Sequence, residues 1–423
     1  GKNTNVAYYG MADTRIGKWA RIVWGLRAES YVYKKIYSQA TNIYDWAEMN
    51  PDGTEKATYY VNEETGDIVS KNTDAEKDEL KWRHLPSVSV TLTPLRDLNF
   101  RTSYAKSVVR PGLIENSRFT RFNPKWGKDQ INTGGILSTQ IEHFDTKLEW
   151  YPQAGDLLSV GYFRKNFENP VEIYQGVFDT GGKLKIMTQN SKSAKVRGWE
   201  FELRKSLDFI APNVEELTNF YISGNLTSQK SEVQARFFDI FMLGMDAKGN
   251  DYYARKERLL KQKRPLYGYV PFLYNIGLQY AGERLGVNVA YNYIGNQVFA
   301  VSSWPSHFEY QRERDQLDAQ VSYKFLKDKK LQVKLNLSNL LNSPYHFYRN
   351  GDTFTYENNS YFWDSIKWDY GFDENYQWGY LHESPFGGTT LPDGTKAQVR
   401  TGDIDTAIKK TGMSISVSAS YTF

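Results

Sequence analysis

Met413-Ser-Ile-Ser-Val-Ser-Ala-Ser-Tyr-Thr-Phe423 alternates without a fault. Met413, Ile415, Val417, Ala419, Tyr421 and Phe423 fall on one side, and Ser414, Ser416, Ser418, Ser420 and Thr422 on the other. Successive side chains of a strand point to opposite faces, so the segment separates an apolar face from a hydroxyl face. An apolar face, a wettable face and a closing aromatic fit the last strand of an outer-membrane β-barrel. They also fit the edge of a soluble sandwich, and the rest of the chain has to separate the two.

The alternation recurs upstream. Leu331, Val333, Leu335 and Leu337 alternate with Gln332, Lys334, Asn336 and Ser338. Similar ribbons occupy 317–325, 285–293, 272–280, 220–226, 199–203, 158–162, 144–150, 98–104, 88–92 and 22–28, with a weaker one at 6–13. The spacing predicts about thirteen strands, each near the roughly ten-residue length of a tilted membrane strand. Connections alternate as well. Thr93-Pro-Leu-Arg-Asp97, Pro152-Gln-Ala-Gly-Asp156 and Ala281-Gly-Glu-Arg284 are short, whereas roughly 34–80, 109–137, 167–193, 229–267, 298–313 and 343–408 are long. Short turns at one end and long loops at the other are the pattern of an outer-membrane barrel, and a sandwich gives no reason for it. The expected fold is therefore all-β: a transmembrane antiparallel β-barrel with short periplasmic turns and long extracellular loops.

Parity adds an expectation. Single-chain bacterial barrels have an even strand number and both termini inside. Thirteen strands ending in the periplasm would start outside, so residues 1–423 read as the C-terminal portion of a larger barrel; fourteen strands would make the barrel complete. The opening Gly1-Lys-Asn-Thr carries neither Met nor a charged-then-apolar leader, so a signal peptide was removed or this is not the native start.

Composition agrees. No run of about 18 apolar residues exists, which excludes a helical span but not a barrel. Mean hydropathy is −0.62, yet 15% of residues are aromatic, with 31 Tyr and 11 Trp, as interface girdles require. The net charge of +4 is small and mixed, and no basic run points to nucleic acid. The absence of Cys excludes a disulfide framework and thiolate chemistry.

Catalytic signals are nearly absent. His84, His143, His307, His346 and His382 are scattered, with no metal spacing, and no P-loop, nucleophile elbow or GxGxxG occurs. Glu200 and Glu202 read as lumenal charges paired with Arg or Lys on neighbouring strands, as do Arg21, Arg27, Arg101 and Lys147. Asp246-Ala-Lys-Gly-Asn-Asp251 lacks the spacing and terminal Glu of a calcium loop and reads as a turn. No enzyme, cofactor or metal site is expected.

The loop from Pro344 to Phe386 is the richest in aromatics. Tyr356, Trp363, Trp368, Tyr370 and Trp378 stand among acids and are the candidate ligand- or partner-binding residues. The simpler reading is that a loop of this length needs its own core. A second loop, 229–265, turns basic at Arg255-Lys-Glu-Arg258, Lys261, Lys263 and Arg264; contact with anionic lipopolysaccharide and plain solvation both fit. Tyr421 and Phe423 are candidates for the signal that outer-membrane assembly machinery reads, or are simply girdle aromatics.

Three segments resemble TonB-dependent outer-membrane receptors. Ser103-Tyr-Ala-Lys-Ser-Val-Val-Arg-Pro-Gly-Leu113 is similar to a family strand entering a long loop. Asn336-Leu-Ser-Asn-Leu-Leu-Asn-Ser-Pro-Tyr345 resembles the exit from the family's penultimate strand, and Ser420-Tyr-Thr-Phe423 the family ending. Trp24-Gly-Leu-Arg-Ala-Glu29 and Gly161-Tyr-Phe-Arg-Lys165 fit as well. The resemblance implies a barrel of about 22 strands around a plug, lying in the outer membrane of a Gram-negative bacterium. It implies import of an iron chelate, corrinoid, glycan or peptide, energised by an inner-membrane complex acting on an N-terminal box. Plug, box and first strands are not in this sequence and are expected upstream of Gly1. Further expected partners are outer-membrane lipid, lipopolysaccharide and a surface lipoprotein. An accessory barrel in an outer-membrane complex, or a smaller passive channel, is the alternative function.

Overall fold

A computed structural model describes residues 2–34, 82–112, 136–178, 184–211, 213–245, 251–302, 308–350 and 403–422, together with residue 115 and the short strand segments 46–49, 55–56, 59–61, 68–70, 118–123 and 128–133. Thirteen strands follow one another in one sheet, in chain order. They are β1 (Lys2–Ile16), β2 (Ala20–Lys34), β3 (Arg83–Leu95), β4 (Leu98–Val109), β5 (Thr139–Trp150), β6 (Leu157–Glu168) and β7 (Ser193–Ser206), then β8 (Phe220–Met245), β9 (Phe272–Ala281), β10 (Leu285–Ile294), β11 (Arg314–Phe325), β12 (Leu331–Ser338) and β13 (Ser414–Tyr421). Each neighbouring pair is antiparallel. This is the expected number, and every strand read from the alternation is present. Among the described residues β1 and β13 form the two ends of this path and do not pair with each other.

Register carries the alternation from strand to strand without inversion. Phe100 pairs Leu148, Leu148 pairs Val160, Val160 pairs Phe201, and Phe201 pairs Leu226. On the opposite face Asn225 pairs Asn275, and Asn275 pairs Asn292; Gln320 pairs Asn336, which pairs Ser416. A slip of one residue anywhere would exchange the two faces, so the apolar rows hold the register.

The apolar face is uncovered. Trp24 is 54% exposed, Phe201 47%, Ile276 49% and Val417 68%. A sandwich would bury these rows under a second sheet. The buried apolar cluster lies elsewhere, at the long-loop end: Tyr174, Ala194, Val233, Ala235, Val298, Val301 and Phe308. Aromatics rim the apolar band at both ends. Tyr162 packs on Trp199 at 5.2 Å and Tyr274 on Tyr293 at 5.1 Å toward the loops, and Phe220 on Tyr280 at 4.6 Å toward the turns.

Four of the loops pair with one another into two four-stranded sheets, each built from two loops. One contains Val171–Phe178, Leu184–Asn190, Lys128–Thr133 and Arg118–Asn123; the other contains Gln297–Ala300, Glu309–Gln311, Tyr345–Asn350 and Asp403–Lys409. The segment read as a loop over 229–267 is mostly a hairpin. β8 runs 26 residues, far beyond what a membrane crossing needs, and pairs with Asp251–Arg264. Val233 and Ala235 stand on the side of Asn225, opposite to Ile222 and Leu226, so the apolar residues of β8 change face beyond the membrane-crossing stretch and turn into the buried cluster.

Candidate functional site

Two of the quoted motifs now have physical reasons. In Asn336–Tyr345 the chain must leave β12 and fold back, which takes two residues of positive φ: Asn339 at 55° and Asn342 at 52°. Asn tolerates that region better than other side-chain-bearing residues. The Asn339 side chain also accepts from Ser343 N at 3.0 Å and donates to the Gly412 carbonyl at 3.0 Å, tying the β12 exit to the β13 entry. In the Arg-Pro segment, Arg110 donates to Glu29 Oε1 at 3.1 Å and to Ser138 Oγ at 3.0 Å, and its guanidinium lies 5.2 Å from the Tyr31 ring centre. It thus clamps β2 to the start of β5 at the loop end.

Of the lumenal charges, all but Glu200 pair as expected. Arg101 reaches Glu149 at 2.7 Å, and Lys147 reaches Glu202 at 3.0 Å and Glu149 at 3.7 Å. Arg21 pairs with Asp13 and Arg27 with Glu29. Glu200 faces the same side, exposed. Further along, Asn275 donates to Asn225 at 2.7 Å and Gln320 to Asn336 at 2.6 Å. The polar face is a hydrogen-bonded lining of amides and compensated charge.

The most heavily buried polar site lies outside the wall. Glu172 and Arg264 are both fully buried. Arg264 grips Glu172 with both terminal nitrogens, at 2.8 and 2.6 Å, and also donates to the Tyr174 hydroxyl at 3.0 Å and the Pro265 carbonyl at 3.0 Å. Glu172 further accepts from Tyr267 N at 3.0 Å and from the Ser191 hydroxyl. Phe308 and Tyr174 place their rings 5.8 and 5.9 Å from the guanidinium carbon. Burial alone would raise the Glu172 pKa, but Arg264, Ser191 and the Tyr267 amide outweigh it and hold the carboxyl below its ordinary value. Burial, with the Glu172 charge, pushes Tyr174 up to about 12, so its hydroxyl stays protonated.

This network sits where the loop sheets meet. Tyr174 bridges Val301; Gln175 N donates to the Val301 carbonyl at 2.7 Å, and Val301 N to the Ile173 carbonyl at 3.1 Å. A second contact parallels it. Lys128 donates to Gln175 and, at 3.2 Å, to Glu309, which accepts from Thr406 at 2.7 Å. The two four-stranded loop sheets and the hairpin strand ending at Arg264 therefore form one interlocked cap.

Arg264 corrects the reading of the basic loop. It faces inward onto Glu172 and cannot meet lipopolysaccharide; of the other side chains on Asp251–Arg264 nothing is described. The aromatic candidates Tyr356, Trp363, Trp368, Tyr370 and Trp378 lie outside the described residues, as do Phe423, His307, His382 and residues 246–250. Tyr421 sits on the apolar face opposite Leu331, 49% exposed. His143 bonds Ser107 at 2.8 Å and His346 bonds Asp405 at 2.6 Å. Sequence reasoning missed Glu172, Tyr174 and Ser191. Their one signal was the short alternating run Val171-Glu-Ile-Tyr174 within a stretch read as loop.

A family profile described as TonB dependent receptor-like, beta-barrel matches residues 1–340. The chain belongs to this family. Its barrels lie in the outer membrane of Gram-negative bacteria, so the short turns are periplasmic and the cap is extracellular. No curated protein matches the chain. Similar solved structures include the siderophore receptor PirA from Acinetobacter baumannii, at 12% identity and TM-score 0.47, over 80% of this chain and 42% of that one. The copper transporter OprC gives 11% and 0.49 over 81% and 43%, and the FrpB iron transporter from Neisseria meningitidis 12% and 0.46 over 81% and 42%. The chain thus spans less than half the length of these structures.

Proposed function

We propose that the chain is the C-terminal wall and extracellular cap of an energised outer-membrane importer for a scarce nutrient: an iron chelate, corrinoid, glycan or peptide. The observation that carries this reading is the join between a wall with a lipid-compatible outer face and a polar inner face, and a cap held together by buried ionic contacts. A passive channel has no need of an interlocked cap. Among the described residues β1 and β13 end the strand path without pairing with each other, which supports closure through further strands of a longer protein. A plug and the box engaged by the energising inner-membrane complex belong to the upstream part of that protein. The role proposed for the cap is binding and passage, in keeping with a family of transport receptors. Cargo contact is assigned to Tyr356, Trp363, Trp368, Tyr370 and Trp378, and the assembly signal to Tyr421 and Phe423. A surface lipoprotein on the cap and lipopolysaccharide around the wall complete the proposed partners.

The test is growth of a deletion strain on limiting iron, corrinoid or glycan, with complementation by the full-length gene and by an energising-box deletion. A defect on one nutrient, rescued only by the intact gene, is expected. Equal rescue by the box deletion refutes energised import, and favours an accessory role.

A further inference from the structure

The cap brings an amine, a carboxamide and a carboxylate together. The Lys128 ammonium donates to the Gln175 side-chain carbonyl and, at 3.2 Å, to Glu309 Oε2. Thr406 donates to Glu309 Oε1 at 2.7 Å, which holds the other oxygen on Lys128. Gln175 and Glu309 are buried, and the Lys128 side chain is 20% exposed. Register explains the meeting. Gln130 and Gln175 both pair with Ile186, from opposite sides of the strand Leu184–Asn190. Lys128 stands two residues from Gln130, on the same face, so its side chain reaches over the middle strand to Gln175. Glu309 comes from the other loop sheet, where it pairs with Ala300. Ile186 and Ala300, the strand neighbours of Gln175 and Glu309, are buried in one apolar cluster, with Ile173, Tyr267 and Phe299 packed on it. The three polar groups therefore meet against an apolar wall, and two of them are closed to solvent.

These are the parts of an acyl transfer. A carbonyl carbon lies only about 1.2 Å beyond its oxygen, so a nitrogen touching Gln175 Oε1 is close to the roughly 3–3.5 Å from which attack on Cδ starts. A carboxylate in contact with that nitrogen can carry its protons. Burial of Gln175 and Glu309 keeps water, the competing nucleophile, away from the carbonyl. We propose that Lys128 and Gln175 join in an intramolecular isopeptide bond, with Glu309 as the proton carrier. Glu309 Oε2 takes a proton from the ammonium and frees its lone pair. Nζ adds to Cδ, the Cδ–Nε2 bond breaks, and Glu309 passes the proton to the departing nitrogen. One ammonium hydrogen stays on the new amide, and the other two leave with Nε2 as ammonium. The step needs no oxidant, metal or further reactant. The product staples Lys128–Thr133 to Val171–Phe178 across the strand between them. Because Glu309 belongs to the second loop sheet, the bond forms only once the two sheets have docked. The inference concerns the covalent structure of the cap and does not depend on the cargo.

The full-length receptor, purified from outer membranes and denatured, is measured by intact mass and by tandem mass spectrometry of a tryptic digest. The protein should be lighter than its sequence by one ammonia. One branched peptide should join Lys128 to Gln175, with no cleavage after Lys128. Folded wild-type protein that yields the two peptides separate and unmodified overturns the proposal. K128R and Q175M should each show the full mass of their sequence; an ammonia loss that persists in both places the modification elsewhere and overturns it as well. E309Q keeps both partners of the bond. Its rate of linking, followed after a pulse of synthesis, should fall by at least about a hundredfold, as for loss of a positioned proton carrier. Linking at the wild-type rate removes Glu309 from the reaction. If E309Q fails to assemble, the wild-type digest still decides, since the branched peptide is either there or not. Nutrient uptake separates the two readings: normal uptake by unlinked K128R leaves the import proposal standing, and a linked receptor that imports nothing leaves the bond standing.

Discussion

Replacing Glu172 by Gln should loosen the cap and leave the wall intact. The side chain keeps its shape but loses its charge, so the Arg264 guanidinium is left with neutral acceptors in a site closed to solvent. Removing one member of a buried pair costs about 3–5 kcal/mol, because the remaining charge is uncompensated. The pair joins Val171–Phe178 to the hairpin strand Asp251–Arg264, both outside the membrane-crossing stretch. The cost should therefore appear as local opening. Hydrogen exchange on the full-length receptor in detergent should show amides of 171–178 and 251–264 losing protection by roughly a hundred- to several-thousand-fold, the equivalent of that free energy. Amides of β10 to β12 should be unchanged. The double variant Glu172→Leu with Arg264→Met removes both charges and should recover most of the protection, since a buried pair is often replaceable by apolar residues of similar volume. Protection within about threefold of wild type for Glu172→Gln, or equal loss in cap and wall, would refute the argument.

Three further outcomes follow from the same geometry. Val417→Arg, on the lipid face opposite Leu335, should cost about 2–4 kcal/mol of barrel stability, whereas Ser416→Arg, facing Asn336, should be far milder; equal losses in a heat-modifiability gel contradict the assigned faces. Cap protection should depend on acid. Glu172 has a folded pKa below its ordinary 4.5, so its contribution is fully present above that value and is lost as pH falls through the depressed pKa. Protection in the cap, taken relative to the intrinsic exchange rate at each pH, should hold from neutrality down to about pH 5 and fall below about pH 4, and a fall already at pH 6 would point to another group. Asn339→Ala should lower stability by about 1–3 kcal/mol, through the positive φ and the lost link to Gly412, with Asn339→Gly milder because only the side-chain bonds go; an equal loss in both would assign no cost to φ.

The wall was legible because its information is local and periodic. Each residue of β13 announces its face by its neighbour's polarity, and Ile415, Val417 and Ala419 need no knowledge of Leu337, Leu335 and Val333 to be assigned outward. Turn length gave the two ends for the same reason. The limit came where the strand continued past the membrane with its apolar face reversed. β8 runs on as a strand into the hairpin, but its apolar positions move from the face of Leu226 to the opposite face at Val233 and Ala235, and a count based on membrane thickness stops near Ser228.

The cap was illegible for a different physical reason. Glu172 and Arg264 stand 92 residues apart, and neither carries a local mark of its partner. Arg264 ends a basic run, and a basic run on a loop ordinarily means solvent. What reversed its meaning was the enclosure built around it by Val233, Val301, Phe308 and Tyr174, residues from four separate segments. A charge is buried only when such an enclosure and its counter-charge arrive together. Arg264 therefore tests the cap as a unit: if the loop strands moved as independent flaps, its burial would be intermittent and its desolvation uncompensated. The chelating geometry to Glu172, with Tyr267 N and Ser191 occupying the remaining acceptor positions, instead favours a cap that opens cooperatively. Under the proposed import function, cargo reaching the lumen would then have to displace the assembly as one body, or enter beside it.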